Sequence, residues 1–95
     1  MYVKIHSDGN LKVLAISDED LIGKTIEDGK IIIEVSEGFY KGEKKSDQEV
    51  LELMKVADNI NMVGITCVKL ALDNGIISEE NIIMIKKIPH VQVIP

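Results

Sequence analysis

Apolar and polar positions change rhythm along the chain, and each rhythm predicts a different element. Tyr2, Val3 and Ile5 open an extended run, Ser7-Asp8-Gly9-Asn10 is strong turn chemistry, and Leu11 to Ile16 alternates well enough to return as the second strand of a hairpin. Ser17 or Asp18 can cap a single helical turn through Leu21, closed by Gly23. Asp28-Gly29 then turns the chain into Lys30 to Val35, where Ile31, Ile32 and Ile33 read as a buried central strand.

The period lengthens at Ser46-Asp47-Gln48-Glu49, which has the form of a capping box: Ser46 accepts from a backbone N–H and Glu49 reaches back. Val50, Leu51, Leu53, Met54, Ala57 and Ile60 follow at helical spacing, with Glu49, Glu52, Lys55 and Asp58 on the other side. Asn59 and Asn61 interrupt this helix, and a second, more buried one is expected from Met62 to Leu72, stopping at Asn74-Gly75. After a turn at Ser78-Glu79-Glu80-Asn81, Ile82 to Ile85 and Val91 to Ile94 read as two short strands. This order predicts a two-layer α+β fold, a mainly antiparallel sheet of about five strands with two helices on one face. The expected core is Val3, Ile5, Val13, Ile31, Ile33, Leu53, Ala57, Val63, Cys67, Leu70, Ala71, Ile83 and Ile85.

The 95 residues suffice for one domain, 1–95, which buries about 60–65% of the unfolded chain's surface and leaves none for a separate substrate domain. No apolar run is longer than that from Ile82 to Ile85, far short of the roughly 20 residues that cross a bilayer, so no membrane association is expected. All 11 basic residues are Lys, Ile supplies 16 residues, and Arg and Trp are absent, a composition of the kind described for proteins of hot environments, although an AT-rich genome gives the same Ile and Lys excess. The single cysteine cannot close an intrachain disulfide, which points to the cytoplasm. A net charge of −5 argues against DNA as a partner, because phosphate binding depends on Lys and Arg. The acidity lies in residues 1–40, with 4 lysines against 8 acids, and leaves room for a local basic patch further on.

Four segments keep a distinctive order: Leu21-Ile22-Gly23-Lys24-Thr25, Glu34-Val35-Ser36-Glu37 leading to Phe39-Tyr40, Asn61-Met62-Val63-Gly64, and Pro89-His90-Val91-Gln92. In that order and spacing the chain resembles, over nearly its whole length, the small archaeal family of domain of unknown function number 424. The resemblance implies an archaeal, cytoplasmic, single-domain protein without an established activity.

Few residues carry candidate chemistry. Gly23-Lys24-Thr25 imitates the end of a phosphate-binding loop, but Asp18 stands where that loop needs its first glycine. Cys67 sits among Val63, Val68, Leu70 and Ala71 and is expected to pack as a small hydrophobe. His6, Cys67 and His90 lack the paired spacing of a zinc site, so no metal and no cofactor are expected.

Two candidate sites remain. The segment from Ser36 to Lys45 holds Phe39 and Tyr40 beside Lys41, Lys44 and Lys45, which suits a protein partner or single-stranded RNA; the alternative is that Phe39 turns inward as a lid on the core. In Pro89-His90-Val91-Gln92, an extended chain puts His90 and Gln92 on one face. They could meet a small molecule there, with Gly64 and Thr66 at the start of the second helix offering free N–H groups to an anion. Alternatively, His90 fastens the last strand through a backbone carbonyl. The first reading makes the chain a non-enzymatic adaptor or accessory factor, related to translation or RNA; the second makes it a ligand-binding protein or small enzyme.

Overall fold

A computed structural model describes residues 1–95. Tyr2–Asp8 (β1) and Leu11–Ser17 (β2) form the expected hairpin around Gly9, whose φ of +61° is a region glycine enters without penalty. Asp18 leads into a 3-10 turn over Glu19–Leu21, but its side chain makes no hydrogen bond to that turn.

Thr25–Asp28 (β3) and Ile31–Glu34 (β4) form a hairpin of their own, outside the main sheet. The three isoleucines are therefore not a central strand. Ile33 turns inward opposite the buried Ile26, while Ile32 is 62% exposed opposite Glu27 and Ile31 is exposed at the hairpin end. A two-stranded ribbon can bury only one face, so an uninterrupted apolar run overstates its burial.

A short helix, Glu37–Tyr40 (α1), is capped by Ser36, whose Oγ accepts from the Phe39 N–H. Glu43–Lys44 (β5) then pairs with Tyr2 and Val3. Asp47–Val56 (α2) starts at the capping box read from the sequence, with both hydrogen bonds present.

The largest departure lies between the helices. Asn59–Val63 (β6) is a strand rather than the end of one helix and the start of another, and the second helix is Ile65–Asp73 (α3). Ile60 and Met62 are buried against the helices while Asn59 and Asn61 turn to the other face, a period of two that also fits the edge of a helical pattern. Ile82–Ile85 (β7) forms where expected, whereas Ile88–Val93 (β8) starts earlier than expected and includes Pro89.

The six-stranded sheet has the order β5-β1-β2-β6-β8-β7, and β2 with β6 is its one parallel pair. The fold is α+β, with both main helices on one face. There Val50, Met54, Cys67, Val68 and Ala71 pack on Leu14, Ile16, Ile60, Met62 and Val91. The other face carries Ala15, Val63 and Ile85 under Leu21, Ile26, Val35 and Tyr40, so the β3–β4 hairpin and α1 add a partial third layer. Ile5, Ile31 and Ile83, expected in the core, are exposed. No helix is long and apolar enough to cross a membrane.

Candidate functional site

The two candidate regions of the sequence meet on the sheet face opposite α2 and α3, and Asn61 joins them. β6 sets Asn61 beside Gln92 and Val63 beside His90. The Tyr40 hydroxyl donates to Asn61 Oδ1 at 2.9 Å, and His90 Nε2 lies 3.2 Å from the same oxygen. An amide oxygen only accepts, so His90 carries its proton on Nε2 and leaves Nδ1 with a free lone pair. Burial pushes the His90 pKa below its usual 6.5, so the ring is neutral at pH 7. Asn59, on the same face, keeps a buried side-chain oxygen without a partner.

Phe39 and Tyr40 do not project as an aromatic loop. Tyr40 is only 4% exposed, and desolvation by burial, with Cys67 nearby, raises its hydroxyl to about 12. Phe39 is half-buried, stacked on His6 at 4.6 Å and edge-on to Tyr40 at 4.9 Å. Strand β1 holds α1 in place, because Lys4 Nζ donates to the Gly38 carbonyl at 2.7 Å and His6 Nε2 donates to the Phe39 carbonyl at 2.8 Å. Tyr40 is thus a lid on the core, and the half-buried Phe39 packs against the same cluster, closer to the inward alternative than to a projecting loop.

The lysines of this segment are engaged as well. Lys41 lies 3.9 Å from Glu37 and Lys44 lies 3.6 Å from Glu19, while Lys45 reaches Glu43 at 3.3 Å and Glu49 at 4.0 Å. Lys41 and Lys44 also approach the Tyr2 ring, at 5.9 and 5.5 Å. Their charge is offset locally, which weakens the expected basic patch.

The start of α3 does not offer the expected free N–H groups. The Gly64 N–H donates to the Pro89 carbonyl, and those of Thr66 and Cys67 donate to the Asp18 carboxylate at 2.8 and 2.9 Å. Thr66 lines a depression of about 340 Å³ with Met1, Asp18, Glu19 and Asp20, whose carboxylates repel an anion. No cavity contains His90 or Gln92.

The family model described as Protein of unknown function (DUF424) matches residues 5–95. The chain belongs to the DUF424 family. The crystal structure of an uncharacterized conserved protein from Methanopyrus kandleri is similar at 28% identity and a TM-score of 0.80, over 99% of this chain and 91% of that one. No curated protein matches the chain.

In this DUF424 protein the side chains with the richest geometry, Asp18 and Asn61, were not among those read as sites. Asp18 has a visible signal: α3 is preceded by Gly64, which has no side chain to cap it, so an acceptor must come from elsewhere. Asn61 has a weaker one, an amide alternating with Ile60 and Met62 in an otherwise apolar stretch. Cys67 packs as expected; its thiol donates to the Val63 carbonyl at 3.2 Å, and burial followed by the Asp18 charge pushes its pKa up, away from thiolate chemistry. No three His, Cys, Asp or Glu side chains converge as metal ligands would. The arrangement around Asn61 is a neutral set of half-buried hydrogen-bond donors and acceptors with the exposed Gln92 beside it.

Proposed function

We propose that the protein is a non-enzymatic adaptor, that its contact surface is the sheet face around Asn61, His90 and Gln92 beside the His6–Phe39 stack, and that its partner is another protein. One observation carries this reading. Asn61 Oδ1 takes both nearby protein donors, which leaves the Asn61 NH₂ without a protein acceptor, beside the bare Nδ1 of His90 and the exposed Gln92 amide. Uncharged donors and acceptors of this kind match peptide groups and polar side chains. No cavity contains His90 or Gln92, which favours a macromolecular partner, since small-molecule sites are concave and largely preformed. Local pairing of Lys41, Lys44 and Lys45 with carboxylates favours protein over RNA, whose affinity depends on free cations.

The test is a photo-crosslinking amino acid at position 92 in the host cell, with the same probe at position 55 on α2 as control. A discrete protein adduct is expected from position 92 alone. The captured protein, once purified, should bind the wild-type chain and lose affinity for Asn61→Ala and His90→Ala. A ribonuclease-sensitive adduct, or binding that both substitutions leave unchanged, would overturn the reading.

A further inference from the structure

β7 is the last strand of the sheet and pairs only with β8. The two are joined by Lys86 and Lys87, both at positive φ (48° and 66°), with Ile85 opposite Ile88. In a two-residue hairpin of this kind the flanking pair exchanges hydrogen bonds, and the next pair does not. The next pair is Met84 with Pro89, which has no N–H to give. Ile83 and Ile85 therefore direct their backbone groups to β8, while Met84 directs both of its groups and Ile82 its carbonyl outward, where no other backbone group meets them; the Ile82 N–H closes the preceding 3-10 turn on the Glu79 carbonyl.

Sheet edges are commonly protected by charge, proline, bulges or cover. The opposite edge follows that rule, with Lys4, His6 and Asp8 in β1 and β5 laid over its start. β7 has no charge of its own, and Ile83 and Met84, on opposite faces, are 53% and 54% exposed. The charges flank it instead, with Glu79-Glu80 before and Lys86-Lys87 after. None of these four has an ion-pair partner within the chain. A strand with acids at one end and bases at the other is complementary to itself when run antiparallel.

We propose that β7 is a homodimer interface that pairs with β7 of a second copy about a two-fold axis through Ile83, making one continuous sheet from two. The register follows from the backbone. Outward groups must meet outward groups, so the Met84 N–H of each copy donates to the Ile82 carbonyl of the other and each Ile83 lies beside its counterpart. The same register brings the Glu79–Asn81 turn of each copy, with Glu79 and Glu80, to the Lys86-Lys87 turn of the other, at both ends. Sliding to the next register that keeps the hydrogen bonds, with Met84 opposite Met84, sets Ile82 against Lys86 and loses the match. Charge complementarity thus selects both the occupant and the alignment.

Sedimentation equilibrium tests the interface on the intact chain. The wild-type mass should rise with concentration toward twice 10.5 kDa. Ile83→Lys, which puts like charges together on the axis, and Met84→Lys at the neighbouring exposed position should each give a monomer with an unchanged circular dichroism spectrum. Glu79→Lys with Glu80→Lys, and Lys86→Glu with Lys87→Glu, should be monomeric separately and dimerise when mixed, because only the mixture restores opposite charges at both ends. A wild-type chain that stays monomeric through the millimolar range, a dimer that Ile83→Lys leaves intact, or charge variants that stay monomeric on mixing would each overturn the proposal.

Discussion

The carboxylate of Asp18 occupies the space that a β-carbon on Gly64 would need. From there it accepts the N–H groups of Thr66 and Cys67, the first 48 residues further along the chain, while the Asp18 backbone N–H donates to the Val63 carbonyl. A helix start needs acceptors for its first N–H groups, and a carboxylate there also meets the positive end of the helix dipole. Gly64, at φ +122°, supplies no side chain and leaves room for that of Asp18.

This mutual dependence gives a coupled prediction. Asp18→Ala should lower stability by about 2–3 kcal/mol, from loss of a cap and from buried N–H groups left unpaired. Gly64→Ala should cost at least as much. The double variant should cost less than their sum by about 1 kcal/mol or more, because removing the carboxylate frees space for the new methyl. Urea denaturation of the four proteins measures the coupling, and strict additivity would contradict the account.

Isoleucines in different settings should respond differently. Ile60→Ala, at a fully buried position of β6, should cost about 2–5 kcal/mol. Ile32→Ala, on the outer face of the β3–β4 hairpin, should stay within about 0.5 kcal/mol of wild type. Denaturation midpoints of equal size for the two would exclude the assignment of β6 as the central strand.

His90 makes stability sensitive to mild acid. Its folded pKa lies below its unfolded value of 6.5 because burial disfavours the charged ring. Above 6.5 both states are neutral and the full stability is present. As pH falls through 6.5 the unfolded state takes up the proton first, and stability is lost until the folded pKa is passed. Chemical denaturation at pH 7.5 and 5.5 should show this loss, and His90→Gln should reduce it.

Tyr40 acts at the other end of the scale. With its pKa raised from 10.0 to about 12, both states hold the phenolic proton below pH 10, and between 10 and 12 only the folded state does. Stability should therefore fall across that window, by up to about 2–3 kcal/mol from this group. Tyr40→Phe should remove that part of the alkaline decline and the late tyrosinate absorbance with it. An absorbance titration unchanged by the substitution would contradict the buried hydroxyl.

Local chemistry was legible in the sequence wherever a short segment decides its own conformation. The β1–β2 hairpin, the Ser46–Glu49 capping box and the Ser78–Asn81 turn needed no distant partner. Errors arose where burial depends on what packs from far away. Ile31 to Ile33 had the composition of a central strand without the neighbours, and Asn59 to Val63 had the neighbours behind an ambiguous period. Both candidate regions were singled out by residue type, yet their meeting through Asn61 depends on a register between β6 and β8 that neither segment encodes alone.

The parallel seam between β2 and β6 also bears on the order of folding. On its two sides the sheet is stitched by hairpins, β1 with β2 and β7 with β8, whose contacts are close in sequence and can form within microseconds. The seam pairs Val13–Ser17 with Asn59–Val63 and must wait until the intervening chain has been looped out. Aspartates clasp it at both ends: Asp58 receives the Lys12 N–H on its carboxylate and returns its own N–H to the Lys12 carbonyl, and Asp18 grips Val63, Thr66 and Cys67. Closing this zip is the rate-limiting event expected for the domain, so weakening either clasp should slow refolding, whereas truncating Ile32 on the outlying hairpin should leave the refolding rate alone.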